Sequence, residues 1–183
     1  FAFASAWTGR RRAAWLAAAI GATCLGGMGF SRSVTMDMPL AACVAGACLA
    51  AWRALASTSW VPRAALGLCV GLGLLAKGPL GAVAPGIVGL AWIVAGARSK
   101  PVLRLLASPT AWAVAVAVAA PWYAAMERAN PGYLRHFTLY EHWGRLSQKG
   151  NRDFAPVWLY LATLPALLLP WAHALVRARL REP

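Results

Sequence analysis

A chain of 183 residues with 60% hydrophobic and 13% charged side chains, and a mean hydropathy of +0.57, has too few polar groups to coat a water-facing surface; soluble domains run nearer a quarter charged. That excludes a soluble enzyme or binding module and predicts an integral membrane protein, with ten Trp suited to the headgroup level. The net charge of +13 would suit nucleic acid, but the Arg residues stand in short clusters between apolar runs with no aromatic-basic face, so topology and anionic lipid explain them better.

A spanning helix takes about 20 apolar residues. Six runs qualify in chain order, at residues 13–30, 38–56, 61–76, 79–96, 103–123 and 157–176. The first follows Arg10-Arg11-Arg12, which mimics a signal peptide, but further spans follow it and make it a membrane helix. The third and fourth runs are short and meet at the turn signal Lys77-Gly78-Pro79. The third carries Gly67 and Gly71 as a GxxxG pair, which lets helices approach closely in lipid. A polar segment at 124–156 separates the fifth run from the last. None of the runs alternates in polarity as a membrane barrel strand does. The predicted fold is therefore all-α, with about six transmembrane helices forming one domain over 1–183 and a loop at 124–156. A start at Phe1 and an end just past an apolar run read as a piece of a longer protein.

Charge supports this count. If Arg10–Arg12 face the cytoplasm, strict alternation puts eleven basic residues on that side, with Glu182 the one acid. The outer side receives seven basic residues and the acids Asp37, Glu127, Glu141 and Asp153. The bias obeys the positive-inside rule. It also gathers most acids, two of the three histidines and the longest polar segment on the outer face, where chemistry is expected. Cys24, Cys43, Cys48 and Cys69 lie inside apolar runs with no CxxC spacing, so they read as core thiols.

Asp37 opens the second span. A carboxylate there is explained by a helix cap, or by a functional carboxylate that takes a proton or holds a basic partner. Lys77 sits between two apolar helices, where an ammonium costs roughly 3 kcal/mol on insertion scales. It either snorkels to the interface, or pairs with a carboxylate such as Asp37, or contacts an anionic substrate. In the polar segment, a helix over Tyr140-Glu141-His142-Trp143-Gly144-Arg145 would set Glu141 and Arg145 at i, i+4. Arg145 suits bidentate phosphate contact and His142 suits a metal or a proton. The same segment also reads as an amphipathic helix lying on the membrane, with Leu134, Phe137 and Trp143 in the headgroup zone. His136 reads as interfacial and His173 as structural.

The order of motifs resembles the polyprenyl-phosphate-sugar-dependent glycosyltransferases related to the lipid A aminoarabinose transferase and the protein O-mannosyltransferases. The resemblance rests on Thr35-Met36-Asp37-Met38-Pro39-Leu40, Gly73-Leu74-Leu75-Ala76-Lys77-Gly78-Pro79, Ala120-Pro121-Trp122-Tyr123, Asn130-Pro131-Gly132-Tyr133, Glu141-His142-Trp143-Gly144-Arg145 and Leu169-Pro170-Trp171. It implies a GT-C membrane fold in a bacterial inner membrane, with its site on the outer face. The donor is a sugar on undecaprenyl or another polyprenyl phosphate, and the acceptor is a lipid or protein. Asp37 corresponds to a catalytic carboxylate, and Lys77 to a basic residue near it. Glu141, His142 and Arg145 belong to the lipid-phosphate site. A divalent metal, with His142 beside it, is the cofactor to look for; no nucleotide or redox cofactor is implied. The family's first outer loop carries an Asp-Glu motif often assigned the main catalytic role, and that motif is expected ahead of Phe1.

Two other classes compete. A transporter or flippase for a lipid-linked or anionic substrate explains the spans and the break at Gly78-Pro79, but predicts polar residues in mid-bilayer, and here the charges cluster at the span ends. A non-catalytic scaffold leaves the outer Asp, His and Arg unexplained.

Overall fold

The computed structural model describes residues 1–33, 35–96, 99–137, 139 and 157–174. Among them every regular element is helical. Contacts divide the chain into two units. One is built from Thr35–Ala129, and the other from the segments before and after it, except that Ala2 groups with the first.

The Thr35–Ala129 unit contains α4 (Asp37–Leu55), α5 (Val61–Lys77), α6 (Leu80–Val94), α7 (Ser99–Leu106) and α8 (Pro109–Ala129). Its core is made of small side chains, with Ala47, Ala50, Ala54 and Ala111 buried alongside Leu66 and Leu105. In lipid no hydrophobic force drives helices together, so close van der Waals packing of small residues must do it. The GxxxG pair of α5 takes this furthest. A Cβ on Gly67 would stand 2.2 Å from the Ala111 carbonyl oxygen, and one on Gly71 would stand 2.8 Å from the Val118 Cβ and 2.9 Å from the Ala115 oxygen. Both glycines therefore seat α8 against α5. The rising register, Gly67 beside Ala111 and Gly71 beside Val118, makes the two helices parallel.

The hairpin between α5 and α6 is as tight. A Cβ on Gly81 would meet the Gly73 carbonyl carbon at 2.1 Å and the Leu74 nitrogen at 2.3 Å. The turn itself needs Gly78, whose φ of 60° and ψ of −142° close α5 while its N–H bonds the Leu74 carbonyl at 2.9 Å. At the other end of α5, Arg63 donates to the carbonyls of Ser59 at 2.7 Å and Thr58 at 3.0 Å, clamping the α4–α5 loop.

Around this small-residue core the large apolar side chains point outward. Leu68, Leu72, Val83, Ile87, Leu90 and Val116 are all exposed, and Val94 is 89% exposed. In water so large an apolar surface would be a liability; against lipid it is the expected exterior. The chain is a helical membrane protein.

The predicted spans at 38–56 and 61–76 correspond to α4 and α5. α4 is long and apolar enough to cross a membrane, as is Ser99–Ala129 taken through α7 and α8. The fifth predicted run thus begins earlier and divides: α7 stops at Leu106, and α8 starts again from a Ser108-Pro109 signal. Ser108 is buried and its Oγ accepts from the Ala111 N–H at 3.5 Å, while Pro109 fills a first-turn position that needs no N–H. α7 buries Val102 and Leu105 and exposes Lys100 and Arg104, an amphipathic pattern. α8 continues to Ala129, so the predicted loop at 124–156 is helical over its first six residues. α6 has 15 residues, which at 1.5 Å per residue is about 22 Å, short of a hydrocarbon core of about 30 Å.

The other unit contains α1 (Ala2–Thr8), α2 (Arg11–Thr23), α3 (Leu25–Arg32), α9 (Tyr133–Arg135) and α10 (Val157–Leu167). The predicted first span is bent by 55° between α2 and α3. The break frees backbone groups that must find partners. The Leu25 N–H bonds the Leu169 carbonyl at 2.8 Å, and the Trp171 indole N–H donates to the Thr23 hydroxyl at 2.8 Å. The predicted run at 157–176 is helical to Leu167 and then turns through Leu168–Trp171. His173 lies beside that turn, with Nδ1 2.6 Å from the Pro170 carbonyl oxygen, in keeping with a structural role.

Candidate functional site

Three segments quoted above meet at one end of the Thr35–Ala129 unit. α4 begins there with Asp37, the antiparallel α5 ends there with Lys77, and α8 passes with Tyr123. The Lys77 ammonium donates to Asp37 Oδ1, closing an ion pair across forty residues of chain. Both side chains stay about 40% exposed, so the pair sits at an open end of the helices. The Thr35 hydroxyl stands beside the same carboxylate.

The cap explanation for Asp37 does not describe what is seen. The N-cap position belongs to Met36, with no side-chain cap bond, and Asp37 is the first helical residue. Its charge still suits the positive end of α4, but the carboxylate is committed to Lys77. Pairing likewise answers the expense of an ammonium at a membrane boundary, so snorkelling alone does not describe Lys77.

Tyr123 is a residue the sequence reading quoted only as part of a motif. Its hydroxyl donates to the Leu74 carbonyl at 2.8 Å. That carbonyl also accepts from the Gly78 N–H, so both lone pairs at the close of α5 are used, one turn before Lys77. Trp122 packs edge-on against the Tyr123 ring with centroids 5.0 Å apart. A hydroxylated aromatic close to the end of an otherwise apolar helix was the available signal, since a buried Tyr hydroxyl usually finds a partner.

Glu141, His142 and Arg145 lie outside the described residues. Among the described residues no group of three His, Cys, Asp or Glu side chains comes together to hold a metal, and the Asp37 carboxylate is occupied by Lys77.

Residues 1–124 match the family described as dolichyl-phosphate-mannose-protein mannosyltransferase. The chain is similar to the undecaprenyl phosphate-alpha-4-amino-4-deoxy-L-arabinose arabinosyl transferase of Erwinia tasmaniensis, with 31% identity over 91% of this chain and 30% of that protein. It is also similar to two proteins named undecaprenyl phosphate-alpha-4-amino-4-deoxy-L-arabinose arabinosyl transferase 2. The one from Pseudomonas fluorescens is 37% identical over 69% of this chain and 24% of its own length, and the one from Sodalis glossinidius is 34% identical over 86% and 30%. The chain thus spans less than a third of these relatives' length. No solved structure matches it.

Proposed function

Because the chain belongs to the dolichyl-phosphate-mannose-protein mannosyltransferase family, we propose that it is part of a membrane glycosyltransferase moving a sugar from a polyprenyl phosphate carrier to a lipid or protein acceptor. The observation that carries this reading is the Asp37–Lys77 pair, which joins two of the motifs behind the family resemblance at one end of the helices. The charge bias of the loops supports an outer-face location for that end in a bacterial inner membrane, within a six-span GT-C arrangement.

The reaction breaks the bond between the sugar's anomeric carbon and a phosphate oxygen, and forms one from that carbon to an acceptor hydroxyl or amine, which loses a proton. Negative charge gathers on the departing polyprenyl phosphate. A cation fixed beforehand near that oxygen stabilises the transition state more than a mobile one. Lys77 supplies such a cation, and Asp37 orients it. The family resemblance implies a lipid-phosphate role for Glu141, His142 and Arg145 as well, and His142 is the residue that would accompany a divalent metal. A carboxylate base takes the acceptor proton.

The test uses the full-length protein in membranes with a radiolabelled polyprenyl-phosphate-linked sugar and a pool of lipid and protein acceptors. Label moves to an acceptor with the wild type. It fails to move with Asp37→Asn or Arg145→Ala expressed at the same level. Full transfer by both variants would remove this site from the reaction.

A further inference from the structure

We infer that Tyr123 is a positioning residue, which aims the Lys77 ammonium by holding the end of α5 through the Leu74 carbonyl. The inference rests on the transferase reading for its catalytic consequence, but its geometry stands apart from it.

The last carbonyls of a helix have no intrahelical donor, and in or near lipid an unmet carbonyl is costly. At the close of α5 the Leu74 carbonyl is met twice, by the Gly78 N–H at 2.9 Å and by the Tyr123 hydroxyl at 2.8 Å. The first bond is local and makes the turn into α6 through Gly78. The second comes from another helix, 49 residues along the chain. It fixes the final turn of α5 against α8 where the glycine contacts have ended, since Gly67 and Gly71 seat the helices lower down. Lys77 leaves α5 three residues after Leu74, on the same face of the helix. A rotation of that last turn would swing the ammonium away from Asp37, which is fixed on α4. Tyr123→Phe keeps the ring but lets the turn rotate.

Two readouts test this in the full-length protein. The first is zero-length carbodiimide coupling of Lys77 to Asp37, quantified by mass spectrometry, which needs no activity. The side chains are 41% and 40% exposed and in contact, so the wild type couples. Tyr123→Phe should lower the yield by about fivefold, matching the loss of one hydrogen bond of about 1 kcal/mol, with the thermal midpoint little changed. The second is kcat/KM for sugar transfer, expected to fall roughly 3- to 10-fold in Tyr123→Phe and to fall no further when the change is made in a Lys77→Ala background. Unchanged coupling in Tyr123→Phe would overturn the inference, as would a transfer loss of the same size with and without Lys77. Absence of transfer in the wild type would instead sink the transferase reading and leave the coupling result to decide on Tyr123.

Discussion

Replacing Lys77 with Ala lowers sugar transfer by about 10²- to 10³-fold, the loss typical when one preorganised donor to a developing anion is removed. Asp37→Asn falls in the same direction, because the amide keeps the shape but no longer holds the ammonium. The two changes act on one unit, so the double variant is little worse than Lys77→Ala alone. A charge exchange separates function from structure. Asp37→Lys combined with Lys77→Asp restores an ion pair between α4 and α5, and with it normal expression. Transfer stays low, because the cation now projects from the start of α4 and a carboxylate faces the departing phosphate. Recovery of transfer by the exchanged pair would mean that the two residues serve only to join the helices. Initial rates in membranes, normalised to protein level, give the answer.

The largest structural effect is expected from Gly81→Val. Its Cβ would stand 2.1 Å from the Gly73 carbonyl carbon and 2.3 Å from the Leu74 nitrogen, and both are backbone atoms with no rotamer to yield. Overpacking against side chains costs typically 1–3 kcal/mol, and here α5 and α6 must separate, carrying Leu74, Gly78 and Lys77 with them. Against a total stability of about 5–15 kcal/mol, the full-length protein loses most of its folded yield in detergent size-exclusion profiles. Gly67→Val acts likewise through the Ala111 carbonyl oxygen at 2.2 Å. The control is Gly86→Ala on the same α6, where a Cβ meets nothing within 4 Å; its profile matches the wild type. Equal yields for Gly81→Val and Gly86→Ala would show that the two helices are not in backbone contact.

Much of this arrangement was legible in the residues. The Lys77-Gly78-Pro79 break inside an apolar stretch marks the end of α5, and alternation of spans puts Asp37 and Lys77 at one end, as the ion pair has them. Their pairing was one of three readings of a lone charge at a membrane boundary, beside snorkelling and contact with an anionic substrate. What escaped reading depended on tertiary partners. No Pro marks the bend after Thr23; it is supported by the Leu169 carbonyl and the Trp171 indole, about 145 residues away in the chain. Tyr123 stood only as part of a motif, because its partner is a carbonyl on another helix. The division between α7 and α8 had a local signal, Ser108-Pro109, which the apolar count of the surrounding run outweighed. Similarly, apolar composition alone could not show that α8 runs on to Ala129 through Glu127 and Arg128.

Transferase and transporter differ in the fate of the donor. The full-length protein is reconstituted in sealed vesicles with a polyprenyl-phosphate-linked sugar labelled in the sugar, and an acceptor is supplied. Wild type is predicted to release free polyprenyl phosphate and move label to the acceptor, with both lost together in Lys77→Ala. Label that crosses the bilayer still joined to its lipid, with no polyprenyl phosphate released, would contradict the claim and make the Asp37–Lys77 pair part of a transporter.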